Sequence, residues 1–242
     1  MIKTAVFVEG QTELIFTREF VLKIFEYQNI DIECYTLFTD SSFHPTEYSF
    51  PNPEAAYHFQ IINVGNDNSV LTRLLNREQY LWNAGFDLII GLRDMYSKNY
   101  REVVTNSTVS LEVNNLFVGA TQEQINLRAT RPENIKFCFA IMEVETWLLY
   151  LAECFLVIDP ILTIDFINNG LNTNIVDSNL EYMFFHPARI VETIFELAEK
   201  TYNKSQGNIN ALVSGISKEA FEELAQSNRS PSFKEFYDSI PK

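Results

Sequence analysis

Three apolar runs in this chain each lead into a carboxylate: Val6-Phe7-Val8 into Glu9, Ile89-Ile90-Gly91-Leu92-Arg93 into Asp94, and Phe139-Ala140-Ile141-Met142 into Glu143. Two of these acids are doubled, since Glu13 follows Glu9 across Gly10-Gln11-Thr12 and Glu145 follows Glu143 across Val144. Carboxylates brought together repel and resist joint ionisation unless a hard cation neutralises them. Oxygen ligands with little His or Cys nearby favour Mg²⁺ or Mn²⁺ over zinc. A single acid at a strand end needs no function, because turns accept it, and Glu13 at a helix start is favoured by the helix dipole alone. The same ending on three runs points to a shared site. Lys204 and Arg93, the latter beside Asp94, are comparable candidate cations for such a site, although a lone Lys at a helix end is ordinarily a solvated residue.

The elements that must position these residues follow from the apolar pattern. Thr4–Val8, Asp87–Leu92 and Ile135–Met142 are short, nearly continuous apolar runs, as in strands covered on both faces by helices. They are expected to be adjacent, parallel and central, so that their carboxyl ends share the edge where open α/β sheets bind ligands. Cys34–Phe38 and His58–Val64 are weaker strand candidates, separated by the aromatic loop Phe43–Phe50. Helical spacing marks Glu13–Gln28, Ser69–Ala84 and Val109–Asn126. After Met142 the pattern turns helical: Glu145–Leu156, Pro187–Tyr202, Ile209–Val213, Lys218–Gln226 and Ser232–Ser239. The expected organisation is an α/β core over residues 1–155 and a helical region over 156–242 packed on it.

Composition narrows the functional classes. Eighteen basic against 32 acidic residues give a net charge of −14, which speaks against a broad electropositive surface for duplex nucleic acid. Cys34, Cys138 and Cys154 are odd in number and lie mostly in apolar runs, as expected of buried thiols in a reducing, cytoplasmic setting. No apolar stretch is long enough to span a membrane, and the N-terminal run is too short for a signal peptide. Neither a P-loop, a GxGxxG nor a G-x-S-x-G occurs. His44, His58 and His186 are scattered and read as surface or capping residues, and the aromatics of Phe43–Phe50 as ordinary core.

The segment Val8-Glu9-Gly10-Gln11-Thr12-Glu13 resembles the VEGxTE opening of TOPRIM-type domains, the metal-binding fold of topoisomerases, primases and OLD-type nucleases. It looks most like the stand-alone TOPRIM-like proteins of bacterial defence loci and mobile elements. The resemblance implies a Rossmann-like, mostly parallel sheet flanked by helices, with Glu9 catalytic and Glu13 an added metal ligand. Asp94 matches the later acidic motif, in which Tyr96 stands where the pattern has a second Asp. Glu143 and Glu145 in Met142-Glu143-Val144-Glu145-Thr146-Trp147 resemble a further acidic motif of the stand-alone relatives. Phe185-His186-Pro187-Ala188, Tyr202-Asn203-Lys204-Ser205 and Ser230-Pro231-Ser232-Phe233 resemble their helical ends.

The expectation is therefore a Mg²⁺- or Mn²⁺-dependent phosphoryl-transfer enzyme, most concretely a nuclease that engages DNA or RNA transiently. Glu9, Glu13, Asp94 and Lys204 are the catalytic candidates, and Glu9, Glu13, Asp94, Glu143 and Glu145 the metal ligands. An ATPase partner is what the resemblance implies for an acidic chain of this kind. Two other readings stay open: a non-catalytic TOPRIM-fold interaction subunit, favoured by Tyr96, and a small-phosphate hydrolase.

Overall fold

The computed structural model describes residues 1–38, 42–65 and 69–242. By its internal contacts the chain divides into two units: residues 1–93, 114–139 and 239–242 form the first, and residues 94–113 and 140–238 the second. Residues 140–155, which the sequence pattern joins to the α/β core, thus group with the helical segments that follow them.

The first unit is built on a six-stranded, mostly parallel sheet in the order β3-β2-β4-β1-β5-β6. Its strands are β1 (Ile2–Val8), β2 (Ile30–Leu37), β3 (Phe43–Pro45), β4 (Tyr57–Asn63), β5 (Leu88–Asp94) and β6 (Ile135–Ala140). Strand β1 runs parallel to β4 on one side and to β5 on the other, with Val8 opposite Asn63 and Leu92. Residues Ala5 to Val8, Ile89 and Ile90 are fully buried, as the continuous apolar runs require. From β1 the chain passes through α1 (Gln11–Ile24) to β2, whereas β5 leads toward β6 on the other side, so the strand order reverses between β1 and β5. Strand β6 occupies the sheet edge rather than its centre, but Ile135 and Phe137 through Ala140 are still buried.

Local packing explains several details. A Cβ at Gly91 would stand 2.5 Å from the Phe137 ring, so β5 needs a residue without a side chain there for that ring to lie against it. Helix α2 (Val70–Asn83) buries Leu74 and Leu81, and its Glu78 accepts hydrogen bonds from Trp82 Nε1 and the Thr130 N–H. Within the aromatic loop, Phe43–Pro45 pairs antiparallel with β2 and Phe50 bridges to Ile32. Its brevity and Pro45, tolerated only at a sheet edge, hide this strand from the pattern. His58 is buried rather than on the surface, its Nδ1 2.6 Å from Asp31 Oδ2.

The second unit is helical. It contains α3 (Lys98–Val103), α5 (Glu145–Tyr150), α6 (Ile164–Leu171), α7 (Leu180–Met183), α8 (Pro187–Leu197), α9 (Gln206–Ser214), α10 (Lys218–Gln226) and most of α11 (Pro231–Ser239), while α4 (Leu111–Arg128) runs mainly in the first. Ser97, Thr163, Ser205 and Ser217 cap α3, α6, α9 and α10 by accepting a backbone N–H three residues on. The expected helix from Glu145 breaks after Tyr150 into a 3₁₀ segment, Ala152–Val157. The core is aromatic, with Trp147 stacked on Phe236 at 5.5 Å and edge-on to Phe233 at 5.4 Å. Among the described residues no helix is long and apolar enough to cross a membrane.

A buried polar knot ties α5, α7 and α11 together. Glu181 Oε1 accepts from Ser230 Oγ and Ser232 Oγ, both at 2.6 Å, and from the Ser232 N–H, while Ser232 Oγ accepts from Trp147 Nε1. Burial pushes the Glu181 carboxyl above its ordinary 4.5, with the bonds from Ser230 and Ser232 pulling the other way. A carboxyl raised on folding contributes stability below its unfolded value and loses it as the pH rises through the folded one. Urea unfolding of wild type and Glu181→Gln between about pH 4 and about pH 8 should show the wild type losing stability relative to the variant as pH rises. A difference that runs the other way would show that the serine bonds outweigh burial.

Candidate metal centre

The chain turns sharply where β6 ends. Met142 is fully buried and holds a left-handed backbone, φ 64°, which costs a non-glycine residue on the order of 1 kcal/mol. Its Tyr96 N–H → Met142 C=O bond and the Met95 N–H → Ala140 C=O bond advance together along both segments. The ends of β5 and β6 are thereby fixed side by side. Thr146 closes the turn, its hydroxyl donating to the Ile141 carbonyl and its N–H to the Glu143 carbonyl.

This turn gathers Asp94, Glu143 and Glu145, each offering a carboxylate oxygen within 4.8 Å of the others. All three are buried, Glu145 completely. The Val144 N–H donates to Asp94 Oδ1 at 2.9 Å. Glu143 Oε2 accepts from the Ala188 N–H at the start of α8, where the helix dipole favours an anion. Glu145 Oε1 accepts from the Tyr202 hydroxyl at 2.8 Å, and Glu145 Oε2, wholly buried, has no hydrogen-bond partner among the described residues.

Lys204 brings a cation into the group. Lys204 Nζ lies 3.2 Å from Glu143 Oε1 and 3.0 Å from Glu145 Oε1. It is carried by the loop after α8, which ends at Leu197 rather than continuing to Tyr202: the Lys200 N–H reaches back to Phe195 and Glu199 turns left-handed, closing the helix. Lys204 is itself left-handed, φ 51°. Burial works against its charge, but Glu145, Glu143 and Asp94 outweigh that and hold the ammonium well above its ordinary value. Burial, and next the neighbouring Glu145, raise the Glu143 carboxyl, against the pull of Lys204 and the Ala188 N–H.

The charge count decides what the arrangement can hold. Three carboxylates and one ammonium leave a formal −2, the complement of one divalent cation. Like charges at this spacing repel by on the order of 3 kcal/mol per pair at an effective dielectric near 20. A lone buried carboxylate oxygen adds a desolvation cost that a cation would remove. The all-oxygen donors suit a hard ion such as Mg²⁺ or Mn²⁺.

Of the residues singled out from the sequence, Asp94, Glu143, Glu145 and Lys204 come together here, in the second unit. Glu9 is half-buried just past β1, and Glu13 is buried in the first turn of α1, close enough to Gly10 that a Cβ there would stand 3.1 Å from Glu13 Oε2. Both belong to the first unit. Arg93, the comparable cation, lies over the Phe139 ring at 5.6 Å. Pattern reading missed Tyr202 and the Ala188 N–H as partners of the acids; the only available signal was a tyrosine two residues before Lys204. No family model, curated protein or solved structure matches the chain.

Lys204→Met should expose the balance of charge. Without the ammonium the carboxylates stand at −3, so the variant is expected to melt below wild type in EDTA and to gain more than wild type from Mn²⁺. Thermal melts of both proteins with EDTA and with Mn²⁺ check this; identical melting in EDTA would mean that the three acids are not held ionised together.

Proposed function

We propose that this protein is a Mg²⁺- or Mn²⁺-dependent phosphoryl-transfer enzyme, most concretely a nuclease that hydrolyses DNA or RNA phosphodiester bonds. The observation that carries the reading is the buried Asp94–Glu143–Glu145 group, with Lys204 against two of its acids and a carboxylate oxygen that has no hydrogen-bond partner among the described residues. When bound, a divalent ion supplies neutralisation of phosphate charge and acidifies water. The chain's own residues then have defined tasks. Asp94 and Glu143 are oriented as oxygen donors by the Val144 and Ala188 N–H groups. Tyr202 fixes Glu145 through Oε1. Lys204, about two-fifths exposed, has its ammonium both against the acids and within reach of solvent, where a phosphate oxygen would sit.

The TOPRIM resemblance of Val8-Glu9-Gly10-Gln11-Thr12-Glu13 supports the same reading and adds Glu9 and Glu13 as catalytic residues and ligands. Its place suits the fold, because Glu9 follows β1 where the strand order reverses, the position at which open α/β sheets hold ligands. A role in a bacterial defence or mobile-element system, cytoplasmic and alongside an ATPase partner, belongs to this proposal.

A second reading has its own observation. Lys204 bonds both Glu143 and Glu145, so the cluster can also be a structural ion-pair knot in a non-catalytic interaction subunit. Cleavage assays separate the two. Labelled single- and double-stranded DNA and RNA are incubated with Mg²⁺, Mn²⁺ or EDTA, with wild type, Glu143→Gln and Glu145→Gln. The nuclease reading expects metal-dependent cleavage that falls by roughly 100-fold or more in either variant. Variants that cut as well as wild type, or cleavage that persists in EDTA, would refute it.

A further inference from the structure

Beside the acidic group the second unit carries the opposite chemistry. Tyr96, Phe185 and His186 form a cluster of three rings packed edge to face: Tyr96–His186 at 4.8 Å, Phe185–His186 at 5.0 Å and Tyr96–Phe185 at 5.6 Å. All three rings are half-buried. The Arg101 guanidinium lies 5.4 Å from the centre of the Tyr96 ring. Arg101 and Arg189 are both exposed, and neither forms an ion pair with a carboxylate among the described residues, in a chain that has 32 acidic residues to 18 basic ones. Burial first, then the charges of Arg189 and Arg101, push the His186 imidazole below its ordinary 6.5, and Arg189 follows His186 in the first turn of α8, its N–H bonded to the His186 carbonyl. Two guanidiniums near the ring cluster, neither paired with a carboxylate among the described residues, offer an anion charged donors.

The cluster is tied to the metal-centre scaffold by short lengths of chain. Tyr96 lies two residues beyond Asp94 and donates its N–H to the Met142 carbonyl, next to Glu143. His186 stands at the N-cap position of α8 without a side-chain cap bond, two residues before Ala188, whose N–H bonds Glu143. A chain threading past the three carboxylates would therefore meet, within a few residues' span, rings and guanidiniums rather than more acid. Aromatic rings joined to guanidiniums are the chemistry by which proteins hold an unpaired base and its phosphate. A duplex interior keeps its bases stacked and offers such rings nothing but backbone.

We infer that Arg101, Arg189 and His186, with the Tyr96 and Phe185 rings, bind the phosphate and unpaired base of a nucleotide flanking the scissile bond, so that the strand taken by the acidic site is single-stranded. This inference rests on the proposed phosphoryl-transfer reading for its purpose, but the binding it describes is measured without cleavage. Tyr96 is then a substrate contact.

The test is fluorescence anisotropy of a labelled 12-nucleotide oligothymidine in EDTA, compared with the same length as duplex and as an abasic strand, for wild type and for Arg101→Ala/Arg189→Ala. Both arginines are exposed, so the double variant should fold, and its melting temperature and its Mn²⁺ affinity by calorimetry should match wild type. The expected results are tighter binding of the oligothymidine than of the duplex, weaker binding of the abasic strand, and a loss of roughly 10-fold or more in the double variant with a shallower salt dependence. No binding of the strand, preference for the duplex, equal binding of the abasic strand, or an unaffected double variant would each overturn the inference. Strand binding with these properties but no cleavage by wild type in Mn²⁺ would sink the nuclease reading and leave the nucleotide site standing.

Discussion

The end of β6 is organised by one electrostatic constraint, the burial of three carboxylates within 4.8 Å of each other beside the Lys204 ammonium. Repulsion of on the order of 3 kcal/mol per pair is comparable to the worth of a good deal of core packing. The structure answers with directed donors: the Val144 N–H to Asp94, the α8 N-terminus to Glu143, Tyr202 to Glu145, and Lys204 to both glutamates. Counting the three carboxylates and Lys204, the group stands at a formal −2, and Glu145 Oε2 has no hydrogen-bond partner among the described residues. One lysine balances one carboxylate, so the remaining acid is what a metal ion could neutralise here.

Two of the eight described non-glycine residues with a left-handed backbone, Met142 and Lys204, adjoin the acidic group, one just before Glu143 and the other at the cation itself. Residues in that region persist where the surroundings over-determine them. The aromatic core around Trp147, Phe233 and Phe236, pinned by the Glu181–Ser232 knot, provides rigidity directly behind α5, which begins at Glu145. Precision at the acids is thus inherited from packing on the far side of one short helix.

Much of this was legible in the sequence because it depends on short-range pattern. The runs at Thr4–Val8, Asp87–Leu92 and Ile135–Met142 are strands to within two residues at either end, since burial on both faces leaves an unbroken apolar signature. Asp94, Glu143, Glu145 and Lys204 were nameable because they follow those strands or complement them in charge. What was not legible depends on contacts far apart in sequence or on backbone turns without glycine or proline. The stop of α8 at Leu197, with Glu199 left-handed, has no marker in Phe195–Lys200. Tyr202 finds Glu145 across 57 residues, and Ala188 finds Glu143 across 45, separations over which local pattern carries no information. Helix α3 escaped because its six residues are too few to show a period, although Ser97 caps it. The place of β6 at the sheet edge escaped because its buried run looks like that of a central strand.

Crystals grown with Mn²⁺ and measured with anomalous scattering test the central claim most directly. The account predicts a manganese peak coordinated by Asp94, Glu143 and Glu145 at about 2.0–2.3 Å, with Glu145 Oε2 turned onto the ion. Density showing the three carboxylates bonded only to Lys204, Tyr202 and backbone N–H groups at saturating Mn²⁺, with no peak among them, would contradict it and leave the cluster as a structural ion-pair knot.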